Sequence, residues 1–218
     1  MLFDLDGTLV DTAPDLVAVL NALLVEHGRV RMPYAVARNE VSNGAAGLLR
    51  LGFGDLADAG EFESLRQRFL AIYLRDVCVR SRLFLDINEL FEQSPESRWG
   101  IVTNKPGAFT EPLLQQLGIA KLWGSVVSGD RLPQRKPDPA PLLLAARELG
   151  VDASACVYVG DAPRDIEAGR AAGMTTVAAA FGYIRPSENP ASWGADAVVS
   201  QPWQLAAVIR DLRDRSAA

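Results

Sequence analysis

Histidine occurs once in this 218-residue chain, at His27, and cysteine only at Cys78 and Cys156. A mechanism built on a histidine relay or a histidine-rich metal site is therefore poorly supplied. His27 stands near the end of a helical pattern, where it complements the helix dipole. Two cysteines are too few for a disulfide framework and no zinc spacing joins them, so both are expected to be buried, reduced thiols. Lysine is scarce too, at Lys105, Lys121 and Lys136, the other basic residues being arginine. The start, Met1-Leu2-Phe3-Asp4, lacks a basic n-region and a long apolar stretch. Neither a secretory signal nor a membrane span is expected, and the expected location is the cytoplasm. A net charge of -5 argues against nucleic-acid and anionic-membrane partners.

What is present is an ordinary apolar content, 49% of residues, in a chain long enough for one large domain or two modest ones. A short apolar run, 1–3, reads as a strand. The segment 12–15 resembles a capping box with proline in the first turn, and Leu16, Leu20, Leu23, Leu24 and His27 share a helical face that ends at Gly28. Further helical stretches are expected at 34–41, 45–51 and 62–77, with no strand between Asp11 and Arg80. From Arg98 the pattern alternates. Strands are expected at 99–102, 125–128, 156–159, 176–179 and 197–199, and helices at 109–117, 140–149, 166–172 and 204–213. That alternation predicts an α/β fold, a Rossmann-like parallel sheet with helices on both faces, plus a helical cap inserted after the first strand. The catalytic core is expected at 1–10 and 81–218, the cap at 11–80.

The residues that stop the apolar runs carry the chemistry. Strand one runs into Asp4-Leu5-Asp6-Gly7-Thr8; 100–102 runs into Thr103-Asn104-Lys105; 157–159 runs into Gly160-Asp161, with Asp165 one helical turn on. Arg135-Lys136-Pro137-Asp138-Pro139 lies between the last two. Ligands of such sheets bind at the carboxyl ends of the strands. Two aspartates two positions apart allow one to attack as a nucleophile and the other to move a proton, and Asp4 with a backbone carbonyl can hold a hard cation. Carboxylates alone suit a cation, whereas a lysine and a hydroxyl among them suggest an anion as well. Magnesium with a phosphoryl group meets both demands.

These four ordered segments resemble the haloacid-dehalogenase-like hydrolase superfamily, and within it the phosphoglycolate phosphatase group, over essentially the whole chain. The stretches 102–106 and 136–142 resemble that group. The tail, with Gly182-Tyr183-Ile184, Asn189-Pro190 and Trp193-Gly194-Ala195-Asp196, is more similar to N-acetylmuramic acid 6-phosphate phosphatases. The resemblance implies a Mg2+-dependent phosphomonoester hydrolase acting on a small phosphorylated metabolite, phosphoglycolate or N-acetylmuramic acid 6-phosphate. In it Asp4 forms an aspartyl-phosphate, Asp6 protonates the leaving alcohol and then activates water, and Asp4, the Asp6 carbonyl and Asp161 bind magnesium. Thr103 and the Asn104 backbone hold phosphoryl oxygens, Lys136 neutralises their charge, and Asp165 orients Lys136 or a metal-bound water. The loop Ser42-Asn43-Gly44-Ala45, with Arg50, is the expected substrate reader. Asp11 and Asp138 read as structural and Lys105 as a surface charge.

Two departures from the group stand out. Only three residues precede Asp4, so a short central strand is expected, and Leu85-Asp86-Ile87 replaces the usual Pro-Gly on the return from the cap. A sugar phosphomutase is the alternative reading. A non-enzymatic sensor is disfavoured by the presence of both Asp6 and Lys136, and a dehalogenase by Asp6 and Asp161. A monomer or homodimer is expected.

Overall fold

The computed structural model describes residues 1–54, 58–84, 92 and 98–216. Among them six parallel strands form one sheet: β1 (Leu2–Phe3), β4 (Gly100–Val102), β5 (Ser125–Val127), β6 (Val157–Gly160), β7 (Thr175–Ala179) and β8 (Ala197–Val199). Their order is β5-β4-β1-β6-β7-β8, so β1 lies in the interior between β4 and β6. Leu2 stands opposite Gly100 and Tyr158, and Phe3 opposite Ile101 and Val159. A second, two-stranded sheet pairs β2 (Val10–Asp11) antiparallel with β3 (Arg82–Leu83).

Alternation along the strands shows why both faces are covered. Phe3, Ile101, Val157, Val159 and Val177 belong to one apolar cluster. Their neighbours Leu2, Val102 and Tyr158 belong to another, on the opposite face. Helix α6 (Ala140–Leu149) supplies Leu142, Ala145, Ala146 and Leu149 to the second cluster. Helices α5 (Gly107–Gln116) and α8 (Leu205–Ser216) supply the first with Phe109, Leu113, Leu205 and Ile209. Between β6 and β7 lies α7 (Pro163–Ala171), with Ile166 and Ala168 buried. The expected elements are all present, with ends moved by a few residues.

The helical unit between β2 and β3 contains α1 (Ala13–Glu26), α2 (Tyr34–Arg38), α3 (Gly44–Phe53) and α4 (Ala59–Arg75). Helix α1 packs against the other three. Its stripe Leu16, Leu20, Leu23 and Leu24 meets Leu65, Phe69 and Tyr73, the one buried face of the otherwise polar α4. This cluster continues into the first sheet face through Leu5, Leu9 and Val10. No helix of the described residues is long and apolar enough to cross a membrane.

The expected capping box at the start of α1 is not formed. The Tyr183 hydroxyl oxygen accepts the Thr12 and Ala13 N–H groups at 2.7 and 2.9 Å and donates to Asp11 at 2.9 Å. Thr12 and Asp15 are thereby released for other work. Asp15, buried, accepts from the N–H groups of Val79, Arg80 and Ser81 and from the Ser81 hydroxyl at 2.7 Å, pinning the returning chain beside β3. Cys156 is buried as expected, whereas Cys78 is half-buried, its thiol facing the Ser81 carbonyl. His27 closes α1 with Nδ1 2.9 Å from the Leu23 carbonyl. The Leu85-Asp86-Ile87 segment lies outside the described residues.

Removing the Asp15 carboxylate would leave several N–H groups without an acceptor. Asp15→Ala is expected to lower unfolding stability by about 3 kcal/mol, and Asp15→Asn by less. Urea denaturation measures both, and a loss below about 0.5 kcal/mol in Asp15→Ala would contradict this role.

Candidate active site

The sheet order reverses at β1: the chain proceeds from β1 to β4 and β5 on one side and to β6, β7 and β8 on the other. The loops leaving β1, β4 and β6 consequently diverge around a crevice. Asp4 is fixed there by its N–H, which donates to Val159 O at 2.9 Å, and Thr103 by its N–H donating to Val127 O at 3.0 Å. After Asp4 the chain turns tightly, with the Leu9 and Val10 N–H groups both on Leu5 O, and Gly7 takes φ +87°. A Cβ at Gly7 would collide with the Asp161 carboxylate and lie 2.8 Å from the Tyr183 ring. Glycine is the residue that lets the first loop close on the third.

Lys136 is the centre of this crevice. Its ammonium donates to Val102 O at 2.9 Å and to the Tyr158 hydroxyl at 2.7 Å, and lies 2.9 Å from Asp4 Oδ1 and 2.7 Å from Asp165 Oδ1. That is four oxygen neighbours for three hydrogens, and Asp4 Oδ1 is left buried with no hydrogen bond. Burial opposes the lysine's charge, but Asp165 and Asp4 outweigh it and hold the ammonium above its usual range. Asn104 fixes the lysine backbone from both sides. Its amide donates to Lys136 O at 3.0 Å, and its oxygen accepts the Lys136 N–H at 3.1 Å.

Asp161 completes the carboxylate set. Oxygens of Asp4, Asp161 and Asp165 lie within 4.8 Å of one another. Burial, with the charges of Asp4 and Asp165 adding, pushes the Asp161 carboxyl up to about 7. Three buried carboxylates facing one ammonium leave a negative excess, and the unbonded Asp4 Oδ1 offers a lone pair. This all-oxygen donor set fits a hard divalent cation. Such an ion would reverse the upward pressure on Asp161.

Asp6 lies beside this centre in a separate network. Its Oδ1 accepts from the Thr12 hydroxyl at 2.6 Å and from Lys105 Nζ at 3.0 Å. The Lys105 ammonium also donates to the Tyr73 hydroxyl at 2.9 Å and stands 4.6 Å from the centre of that ring. Lys105 is therefore not the surface charge expected. Its side chain is 7% exposed; burial opposes its charge, but Asp6 and Tyr73 hold it above its usual range. The reason is the length of α4, which carries Tyr73 over the end of β4. Thr103 Oγ1 accepts the Lys105 N–H at 3.1 Å, so its own hydrogen remains to donate.

A cavity of about 430 Å3 opens above these groups. The core lines it with Asp4, Asp6, Thr103, Lys105, Lys136 and Arg164 among others, and the helical unit with Leu16, residues 41–46, Arg66, Phe69, Leu70 and Tyr73. Ser42 reaches the core directly: its hydroxyl donates to Asp161 Oδ2 at 3.1 Å, and its carbonyl accepts from Arg164 at 2.6 Å. Asn43 lines the cavity and donates to Glu40 at 3.0 Å. Arg50 is outside the lining, contrary to expectation. It stands nearly two turns past the start of α3, exposed, with its guanidinium 5.5 Å from the Phe62 ring centre. The helical unit's cavity-lining arginine is Arg66 instead. Asp165 contacts Lys136 and also accepts the Ala162 N–H at 3.0 Å, at the start of α7. Asp11 and Asp138 are structural, the latter accepting the Ala140 N–H at 2.8 Å.

Thr12, Tyr158 and Arg66 were not singled out from the sequence. Tyr158 had a signal: a phenol inside the run Val157-Tyr158-Val159 needs a polar partner if buried. Thr12 and Arg66 had none, since a helix-start threonine and a charge on a polar helix are ordinary.

The haloacid dehalogenase-like hydrolase family model matches residues 1–179. An N-acetylmuramic acid 6-phosphate phosphatase of Pseudomonas putida is 44% identical over 211 residues, covering 96% of this chain and 95% of that protein. A phosphoglycolate phosphatase of Xanthomonas campestris pv. campestris is also 44% identical, over 207 residues, covering 94% and 93%. A crystal structure described as a predicted phosphoglycolate phosphatase from Haemophilus somnus matches with TM-score 0.83 and 28% identity, covering 95% of this chain and 96% of that one.

Gly7→Ala is expected to destabilise the protein by about 2 kcal/mol or more. The positive φ alone costs about 1–2 kcal/mol, and the new methyl must displace Asp161. Chemical denaturation checks the magnitude; a neutral substitution would mean that the first and third loops do not approach as described.

Proposed function

The chain belongs to the haloacid dehalogenase-like hydrolase family, and from that premise we propose that it is a magnesium-dependent phosphatase of small phosphorylated metabolites. Cleavage would pass through an aspartyl-phosphate on Asp4. The observation that carries the reading is the buried Asp4 carboxylate at the floor of the cavity, its Oδ1 2.9 Å from the Lys136 ammonium. A carboxylate so placed is a desolvated nucleophile next to a fixed positive charge.

The residues divide the work as follows. Asp4 attacks phosphorus, and the bond to the leaving oxygen breaks. Asp6 gives that oxygen a proton, then takes one from the water that attacks the aspartyl-phosphate. Lys136 offsets charge building on the phosphoryl oxygens, and the free hydrogen of Thr103 donates to one of them. Asn104 acts through its side chain, which locks the Lys136 backbone, as well as lying beside the phosphoryl site. Magnesium, held by Asp4, Asp161 and the Asp6 carbonyl, would supply further stabilisation of that charge. Asp165 and Tyr158 orient Lys136. The helical unit 11–80 acts as the cap, closing the cavity from above and leaving the chemistry to the core at 1–10 and 81–218.

Identity is 44% to both the sugar-acid and the phosphoglycolate phosphatase, so similarity does not separate these substrates. The tail segments Gly182-Tyr183-Ile184 and Trp193-Gly194-Ala195-Asp196 lean toward N-acetylmuramic acid 6-phosphate, with phosphoglycolate the second candidate. Return of the phosphoryl group to a sugar, as in a phosphomutase, draws no support from relatives named as phosphatases. A protein at work on such metabolites fits a cytoplasmic setting.

Two measurements test this reading. EDTA is expected to abolish release of inorganic phosphate, and magnesium to restore it; full activity in metal-free protein would overturn the metal assignment. Asp4→Asn is expected to eliminate turnover, and Asp6→Asn to slow alkyl esters on the order of a hundredfold or more while still accepting phosphate from an aryl ester. An adduct on Asp4, found by mass spectrometry of quenched Asp6→Asn protein, is the expected result. An adduct elsewhere would reassign the nucleophile.

A further inference from the structure

The cap contributes to the cavity lining a wall that is mostly apolar, with Leu16, Val41, Phe69 and Leu70 beside Tyr73. Arg66 is its only charged side chain among the described residues. The core's cations on this cavity serve its own end: Lys136 faces Asp4, Asp165 and the phosphoryl site, Lys105 is held by Asp6 and Tyr73, Arg164 binds the Ser42 carbonyl, and Arg135 stands beside Lys136 in the chain. Arg66 is different. Glu63, one helical turn earlier and outside the lining, takes its Nε and one terminal nitrogen at 2.7 Å each. The other terminal nitrogen, Nη1, has no partner among the described residues.

The Glu63–Arg66 pair is half-exposed, with side-chain exposures of 45% and 39%, and pairs of this spacing on a wet helix surface contribute little. Glu63 therefore orients the guanidinium without consuming it. An anion arriving from the cavity side meets a guanidinium already oriented by Glu63, on a wall whose other side chains are mostly apolar. The phosphoryl group of the substrate is bound at the opposite wall, in the core. What remains for Arg66 is a second acidic group at the far end of the same molecule.

We propose that Arg66 reads a carboxylate on the substrate, so that the enzyme selects phosphate monoesters carrying an acid remote from the phosphoryl group. This rests on the phosphatase reading above and names its substrate class. Both N-acetylmuramic acid 6-phosphate and phosphoglycolate contain that shared chemistry; they differ in the distance between the two acids.

The test compares esters that differ in the carboxylate. N-Acetylmuramic acid 6-phosphate is assayed against N-acetylglucosamine 6-phosphate, which lacks the lactyl acid, and phosphoglycolate is assayed in parallel to report the span. The wild-type ratio of kcat/KM, acid over neutral sugar, is expected to be high. Arg66→Gln should lower that ratio about 10- to 100-fold, the scale of a hydrogen bond to a charged group, chiefly through KM. Arg66→Lys should recover part of it, because the charge returns without the fork. Glu63→Gln should lower it by less than Arg66→Gln does, since the guanidinium keeps its charge but loses the carboxylate that orients it. Arg135→Gln, which removes a cation from the core side of the same cavity, should lower kcat/KM for both sugars and leave their ratio as it is. Equal hydrolysis of both sugars by the wild type, an equal loss on both in Arg66→Gln, or a fall in the ratio from Arg135→Gln rather than Arg66→Gln would overturn the proposal while leaving a phosphatase. No phosphate from these esters or from p-nitrophenyl phosphate would instead overturn the underlying reading.

Discussion

Lys136, with 1% of its side chain exposed, touches Asp4 and Asp165 and lies in the same carboxylate cluster as Asp161. Three acids and one base buried together form an arrangement that water would not tolerate losing without replacement. Every nearby feature answers that constraint. Tyr158 and Val102 O take lysine hydrogens, Asn104 clamps its backbone, and the Ala162 N–H and Tyr183 N–H go to Asp165 and Asp161. These groups come from β4, β6 and the loops after β4, β6 and β7, which a sheet that reverses order at β1 brings to one point. The fold is thus the means by which an incompletely neutralised acidic cluster is kept dry, and the remaining charge imbalance is what a divalent ion would remove.

A second ion pair, Lys105–Asp6, lies against the first but answers to different elements. Thr12 begins the helical unit, Tyr73 ends its longest helix, and both touch this pair. Asp4 is held wholly by core groups. The two aspartates of the opening motif therefore differ in what they depend on. Asp4 is positioned by the sheet, and Asp6 by residues at both ends of the helical unit. A shift of α4 or of the α1 start would disturb Asp6 before it disturbed Asp4.

How much of this was legible in sequence follows from the range of the forces involved. Parallel strands buried on both faces read as short apolar runs, so 100–102, 125–127, 157–160 and 197–199 were found close to where they lie. The acids and the lysine at strand ends were legible because a charged residue ending an apolar run is an anomaly. Long-range pairings were not. The capping-box pattern at 12–15 was correctly recognised as a helix start, but Tyr183, some 170 residues away, took the capping role, and its competitors moved to Asp6 and residues 79–81. Lys105 looked like a surface charge because nothing local announces that Tyr73 covers it. Arg50 was the arginine next to the 42–45 loop in the chain, and nothing local announces that α4, packed beside α3, brings Arg66 to the cavity instead.

The cap is joined to the core by contacts of unequal strength. At its chain ends, Asp15 gathers three backbone N–H groups, β2 pairs with β3, and the apolar cluster runs on without a break. These are buried contacts and stiff. At its front, the segment 38–43 is held by arginine: Arg38 to the carbonyls of Phe181 and Gly182, Arg185 to Glu40, Arg164 to the Ser42 carbonyl. Such partly wet contacts are individually weak, and each leaves groups that water can satisfy when they part. Ser42 is the exception, because its hydroxyl ends on Asp161, a member of the buried acidic cluster. Both edges of the helical unit therefore reach the acidic cluster, the front through Ser42 and the chain-end side through Tyr183, whose N–H donates to Asp161 while its hydroxyl holds the start of α1. The phosphoryl end of the cavity is thus walled by the stiff core, and its other side by side chains of the helical unit, Arg66 on α4 among them.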